Sequence, residues 1–342
     1  MALGGGSGPM IAYVLQRVLY AIPTLILISI VSFVLIELPP GDYLQQRIAE
    51  LEQRYGDSSS MAQADQLRAR YGLDRPLWRR YVMWVGGALH GDLGQSFRYE
   101  QPVNKLIGDR VLFTIVLSLA ALIVSYAIAI PAGIFSATHR NTWGDYVISS
   151  LAFIGMSLPG FLLALLLLVV GLVYFDVALV GLFSPRYADA PWSFGKFIDL
   201  LNHLWIPTLI VGVNGTAGLM RIMRSNLLDV LGQQFVQTAR AKGLRERVVV
   251  TRHAVRIAIN PLISILGMSL PGILSGSTII SIVLNLPTMG PLLFQSLKDQ
   301  DMYLAGSQIM MFSLLLIVGN LLADVALAWV DPRIRYGQAD AQ

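Results

Sequence analysis

Cysteine is missing from the 342 residues, so no disulfide framework, thiolate zinc site or iron–sulfur cluster can form. Charge is scarce at 13%, against about 25% in soluble domains. That argues against a soluble enzyme of this length, and an apolar content of 55% excludes intrinsic disorder. No G-x-x-x-x-G-K-[ST] phosphate loop occurs; Gly195-Lys196 is followed by Phe197 and lacks the upstream glycine. The four histidines, His90, His139, His203 and His253, stand apart with no pair at helical ligand spacing, so no metal site is expected. There is no G-x-S-x-G or kinase motif, and the long apolar runs offer one clear acid, Asp324, without a catalytic partner. An enzyme is not expected.

What the chain does have is long apolar runs. A helix needs about 20 such residues to cross a bilayer. Six runs qualify: Val18–Ile36, Leu112–Ala137, Val147–Phe175, His203–Met220, Leu262–Leu286 and Tyr303–Val330. The third is uncharged and long enough to cross with a tilt. The fourth is the most polar, with Asn214 among Gly212, Gly215 and Gly218. The first lacks a small-residue cleavage site and is too long for a secretory signal, so it reads as a retained helix. The expected class is all-α, a polytopic membrane protein with six transmembrane helices. Residues 1–9 read as a flexible tail, 10–38 as the first transmembrane helix, 39–111 as an external subdomain, 112–336 as a five-helix core and 337–342 as a C-terminal tail.

Lys and Arg set the orientation. With the N-terminus inside, the cytoplasmic segments carry 12 basic residues and the short outside loops three, Arg186, Lys196 and Lys298. That predicts N-in/C-in. The segment Asp42–Arg110 holds ten basic and nine acidic residues. It reads as helix over Ala49–Tyr71, a turn at Leu73–Pro76 and an amphipathic helix over Leu77–Leu89. Five aromatics favour a folded subdomain over a loose loop. Trp192 and Trp205 read as bilayer-surface markers.

The net charge of +4 and pI near 9.3 trace to one inside segment, Arg221–Asn260, with eight basic and two acidic residues. No nucleic-acid partner is implied. A short helix around Phe235–Lys242, a stop at Gly243 and a second, basic helix up to Asn260-Pro261 are predicted. Phe235 and Ala239, four apart, share a face suited to docking in a partner's groove. A plain positive-inside loop near anionic lipid is the alternative. Asn214, Asn285, Asn320, Ser157 and Asp324 are the polar residues inside runs, and such residues are functional candidates by default. Asn214 suits a pore, or its glycines suit close helix packing. Asp324 lies close enough to the inner end to reach Arg221, Arg224 or water, a structural role.

Thr238-Ala239-Arg240-Ala241-Lys242-Gly243-Leu244, Arg252-His253-Ala254 and Asn260-Pro261 resemble the signature loop of binding-protein-dependent ABC transporter permeases. The branch most resembled is the dipeptide/oligopeptide/nickel one, on the subunit with a large external loop after its first span. Pro39-Pro40-Gly41-Asp42, Tyr71-Gly72-Leu73-Asp74, Gly91-Asp92-Leu93-Gly94, Ile130-Pro131-Ala132-Gly133, Ser157-Leu158-Pro159, Asn320–Asp324 and Asp331–Arg335 resemble further elements of it. Gln237 stands where the general loop pattern has Glu. Tyr43 stands where the branch often has proline, and Leu286–Gly290 replaces a more acidic, glycine-richer stretch.

The resemblance implies half of a substrate pathway for peptides or similar small oligomers. It implies a second homologous permease, two ATP-binding subunits, an external substrate-binding protein, and a place in the cytoplasmic (inner) membrane of a bacterium or archaeon. No cofactor is expected on this chain, with ATP and Mg in the partner ATPases. Coupling to them would fall on the loop 225–260, at Phe235, Thr238, Ala239, Arg240, Ala241, Lys242, Gly243 and Leu244. Ser157, Asn214, Asn285 and Asn320 are the pathway candidates. A stand-alone secondary transporter or channel is the competing reading; it should show inverted repeats with charged midplane residues, and none is evident.

Overall fold

The computed structural model describes residues 8–37, 75–96, 98–177 and 179–330. Among them the named elements are all helical: α1 (Gly8–Glu37), α2 (Leu77–Leu89), α3 (Val103–Thr138), α4 (Trp143–Ser157), α5 (Gly160–Phe175), α6 (Phe194–Leu231), α7 (Gln234–Ala241), α8 (Glu246–Ala258, with a π-helical stretch at Val249–Ala254), α9 (Asn260–Val283), α10 (Met289–Lys298) and α11 (Met302–Val330). Four stretches are long and apolar enough to cross a membrane: Leu15–Leu35, Val103–Thr138, Phe194–Leu231 and Tyr303–Leu322. Two bent pairs, α4 with α5 and α8 with the start of α9, bring the number to as many as six. The helix expected at Ala49–Tyr71, and the Pro39–Asp42, Tyr71–Asp74 and Asp331–Arg335 elements, lie outside the described residues.

The third apolar run is not one continuous helix. It is two helices meeting at 98°. The ring of Pro159 drives the preceding residue out of the helical region, and Leu158 is extended at φ −87°, ψ 123°. Pro159 is extended too, and α5 starts immediately after it. Pro131 and Pro207, by contrast, sit inside continuous helices. The fourth run also differs. Its helix begins at Phe194, well before His203, because Ser193 caps it by accepting the Lys196 N–H at 3.2 Å.

The described chain groups into two compact units, one built on Thr114–Gly290 and the other on Leu15–Phe113 with Pro291–Ile317. In the first, α6 is the organising helix and packs against α4, α5, α8 and α9. Its last third buries Met223, Leu227 and Val230 with Val236 and Ala239 of α7, Val249 and Ala254 of α8, and Leu262 of α9. The Tyr126 hydroxyl of α3 donates to the Leu262 carbonyl at 2.8 Å. Gly133 of α3 lies against α6 so closely that a Cβ there would stand 2.7 Å from Met223 Cβ and 2.9 Å from the Met220 carbonyl.

In the second unit, Phe33 and Trp84 form a core with Tyr81, Val85, Tyr303 and Met310. The turn Gly91–Ser96 is fixed by its own side chains: Asp92 Oδ1 accepts the Gly94 N–H and Asn104 spans Leu93 N and the Gly91 carbonyl. Asp301, fully buried, accepts from the Ser96 hydroxyl, the Arg98 N–H and the Leu304 N–H, the last capping α11. Ser307 donates to the Leu93 carbonyl at 3.1 Å. The turn is thereby tied to the head of α11.

Candidate functional site

Helix α7 is too short to be stable alone, and α6 and α8 hold it in place. The buried residues are Val236 and Ala239, three apart and so on one face. This corrects the expected Phe235–Ala239 docking face. Ala239 faces the chain's own core, whereas Phe235 is exposed. The outward side is Gln234, Gln237, Thr238 and Ala241, with Phe235 at its edge. Thr238 turns its hydroxyl back onto the Gln234 carbonyl at 2.9 Å. Ala239 belongs to both faces; the core of Met223, Leu227 and Val249 beneath takes in Val236 rather than the neighbouring Phe235.

The stop after α7 is a Schellman turn. Gly243 N–H donates to the Arg240 carbonyl at 2.9 Å and Leu244 N–H reaches the Ala239 carbonyl at 3.4 Å. Gly243 adopts φ +75°, where a Cβ is unfavourable. Lys242, Gly243 and Leu244 are all exposed. Across the turn the Arg240 guanidinium grips Glu246 with two bonds, 2.6 and 3.1 Å. Those bonds, and then the charge behind them, hold the Glu246 carboxyl below the usual carboxylate range. The elbow α7–Gly243–α8 is thus a closed local structure whose outer rim is free of core packing.

A part-buried ion pair joins α6 to α4, with Asp145 enclosed and the Arg224 side chain 33% exposed. Arg224 of α6 donates to Asp145 of α4 at 2.8 Å, and Asp145 also accepts from the Ser136 hydroxyl, the Asn141 N–H at 3.1 Å and the Ser149 hydroxyl at 3.3 Å. Thr142 caps α4. Sequence reasoning singles out Arg224 but misses Asp145. A signal exists, since Thr142-x-x-Asp145 is a capping pattern. Arg221, one turn from Arg224, stacks its guanidinium 5.2 Å from the Phe153 ring of α4.

Halfway along α6 the packing opens into a cavity of about 410 Å³ between α3, α6 and α9. Asn214, Gly215 and Gly218 line it together with Ser125 and isoleucines of α9. Here the glycines divide. Gly212 makes a close crossing: its carbonyl accepts from Ser125 and Thr216, and a Cβ would stand 3.2 Å from the Ala121 carbonyl. Gly218 has nothing within 4 Å of where its Cβ would be. Asn214 sits against Gly160 at the start of α5, where any Cβ would collide with its carboxamide. Of the four pathway candidates, Asn214 alone lines this cavity. Ser157 bonds the Phe153 carbonyl at 2.8 Å, Asn285 is an exposed turn residue at φ +48°, and Asn320 is exposed on α11.

Residues 129–336 match the family described as the binding-protein-dependent transport system inner membrane component, and residues 10–120 match the N-terminal description of the same systems' membrane component. The chain is 37% identical over 331 residues to a putative peptide permease protein of Brucella ovis, covering 95% of this chain and 99% of that one. It is 34% identical over 331 residues to the oligopeptide transport system permease protein AppB of Bacillus subtilis, covering 96% and 100%. It is 30% identical over 346 residues to the dipeptide transport system permease protein DppB of Escherichia coli, covering 96% and 99%. The chain therefore belongs to the inner-membrane permeases of binding-protein-dependent ABC transport systems, on the branch that holds the peptide permeases.

Proposed function

We propose that this chain is one of two permease subunits of an ABC importer for peptides or similar small oligomers, in the bacterial or archaeal inner membrane. The names of its relatives support the substrate class. In this reading the chain crosses the membrane six times, N-in and C-in. Residues 39–111 lie outside, 112–336 form the five-helix core, and the loop 225–260 faces the cytoplasm. Two partner ATPases bind ATP and Mg and push on the elbow; an external binding protein delivers substrate.

The elbow is the observation that carries this. Its buried residues belong to the same core as Met223, Leu227 and Val230, so a displacement of α7 moves the end of α6. The pair Arg224–Asp145 passes that movement to α4. Asn214, higher on α6, passes it to the cavity. Rocking of packed helices between two arrangements then opens the path alternately to each side, as differential binding of ATP to the two states requires.

The experiment is Gly243→Val in the complete transporter. Nothing lies within 4 Å of the Cβ added there, so the variant still inserts, but a β-branched residue at positive φ distorts the elbow. Substrate-stimulated ATP hydrolysis and uptake are lost together. Uptake at the unsubstituted rate overturns the coupling role.

A further inference from the structure

Helix α2 carries one broad apolar surface in two adjoining parts. One is Tyr81, Trp84 and Val85, packed on Phe33. The other is a stripe of Trp78, Val82 and Leu89, which are 63%, 59% and 82% exposed. Their positions fall within about 40° of one another on a helix of 3.6 residues per turn. The 13 residues of α2 hold no acid. Arg79 beside the stripe stacks on the Trp78 ring at 5.2 Å, and Arg75, which precedes the helix, donates to Met83 Sδ at 2.7 Å.

The packed face fixes the depth of the helix. Tyr81 hydroxyl meets Ser29 Oγ at 2.7 Å, and the Tyr81 ring lies 5.4 Å from Phe33. Ser29 lies six residues inside the end of the apolar stretch Leu15–Leu35, a depth of about 9 Å at 1.5 Å per residue. The same cluster takes Tyr303, the first residue of the apolar stretch Tyr303–Leu322, and Met310, two turns into it. A helix held beside the terminal turns of two membrane-length helices lies at the level of the lipid headgroups and upper acyl chains. Interfacial helices bury an apolar face by about 5–10 Å there. Tryptophan prefers that level, and arginine reaches from it to phosphate.

We propose that α2 is a membrane-surface anchor, with the Trp78–Val82–Leu89 stripe seated in the outer leaflet and Arg79 at its phosphates. The occupant of the stripe is lipid, continuous with the lipid around the exposed Ile26 and Ile30 of α1. The part of residues 39–111 that the structure describes is then attached to the bilayer rather than free in the medium. This rests on the reading of α1 and α11 as membrane spans.

The test uses the natural absence of cysteine. Trp78→Cys, Val82→Cys and Leu89→Cys, each exposed and so harmless to packing, are made one at a time in the full chain. They are labelled with a nitroxide and reconstituted in phosphatidylethanolamine–phosphatidylglycerol vesicles. Ile26→Cys serves as the benchmark within a span. We expect all three stripe labels to collide several-fold more with oxygen than with a water-soluble nickel chelate, with values between Ile26 and an aqueous label. In the cysteine-free chain, brominated lipid quenches tryptophan fluorescence, and Trp78→Phe removes part of that quenching.

Nickel accessibility equal to an aqueous label, with Ile26 still shielded, overturns the anchor while leaving the spans intact. Shielding of the stripe only after the external binding protein is added also overturns it, and makes the stripe a protein-docking surface. Nickel accessibility at Ile26 itself overturns the spans and the anchor together.

Discussion

The end of α6 and its middle are packed in opposite ways. Its end is densely packed: Met223 and Leu227 are fully buried, Gly133 of α3 lies against Met220 and Met223, and Arg224 is bonded to Asp145. Its middle faces a cavity of about 410 Å³ through Asn214, Gly215 and Gly218. One continuous helix thus joins a dense base, which carries the elbow, to a loose segment beside the cavity. A lever must not deform where it is pushed, and a path must have room where something passes. Close-packed interiors transmit displacement, and voids absorb it.

The strongest break in this contrast comes from removing the charge that locks the base. Arg224→Gln leaves the Asp145 carboxylate, only 2% exposed, with Ser136, Ser149 and one backbone N–H but no cation. Leaving that buried carboxylate without its partner costs about 1–3 kcal/mol, the Arg224 end being one-third exposed. The double variant Asp145→Asn/Arg224→Gln loses distinctly less, because no uncompensated charge remains. Thermal unfolding of the purified chain in detergent measures both. Equal losses in the single and double variants would mean that the pair is not what locks α4 to α6.

The same substitution at two glycines should change sign across the boundary. Gly133→Ala places its methyl against a backbone carbonyl and the first carbon of a side chain, neither of which can swing away. Overpacking of this kind costs about 1–3 kcal/mol. Gly218→Ala meets nothing within 4 Å and sits mid-helix, so it gains roughly 0.5–1 kcal/mol from helix propensity. Midpoints that move in opposite directions on thermal unfolding sharpen the comparison. A destabilised Gly218→Ala would mean that the cavity side is as tightly filled as the base.

Several helix ends are legible in the sequence. A proline at one end and His90-Gly91 at the other bound α2 at Leu77–Leu89, and the glycine after Lys242 bounds α7, because local backbone chemistry decides such ends. What periodicity cannot supply is which of two overlapping faces turns inward. On α7, Phe235–Ala239 and Val236–Ala239 both share a stripe, and only the core beneath selects Val236. Asp145 escapes for a related reason. It lies 79 positions from Arg224, and nothing local in sequence joins them. The ring of Pro159 is enough to foresee a bend, yet unbroken hydrophobicity on both sides suggests one span. By sequence alone, Asn214 and its three glycines form a single group. Their division into one packing contact and two cavity walls depends on which neighbour each faces, a property of α3 and α9 rather than of α6.

A second arginine–carboxylate pair gives the finest form of the contrast. Arg240–Glu246 has bonds as short as Arg224–Asp145, but its side chains are 36% and 59% exposed, and it closes the elbow rather than the base. Water and salt therefore screen it, and it contributes about 0.5 kcal/mol or less. The hydrogen bonds from Arg240, and then its charge, depress the Glu246 carboxyl. Arg240 is shifted upward, first by its bonds to Glu246, and so stays charged throughout. A depressed acid contributes its stability in full above its unfolded value and loses it as pH falls through the folded one. Glu246→Gln should thus be slightly less stable than the unsubstituted chain at pH 7; the difference should begin to shrink as pH falls to the ordinary glutamate range, about 4.3, and vanish only below the depressed folded value. It should shrink in about 1 M salt, where the Debye length is about 3 Å. Arg224→Gln should keep most of its larger deficit at the same salt, since burial rather than solvent surrounds the Asp145 end of that pair. If both deficits respond alike to salt, the base is as wet as the rim, and the division of α6 into a dense lever and an open middle fails at its lower end.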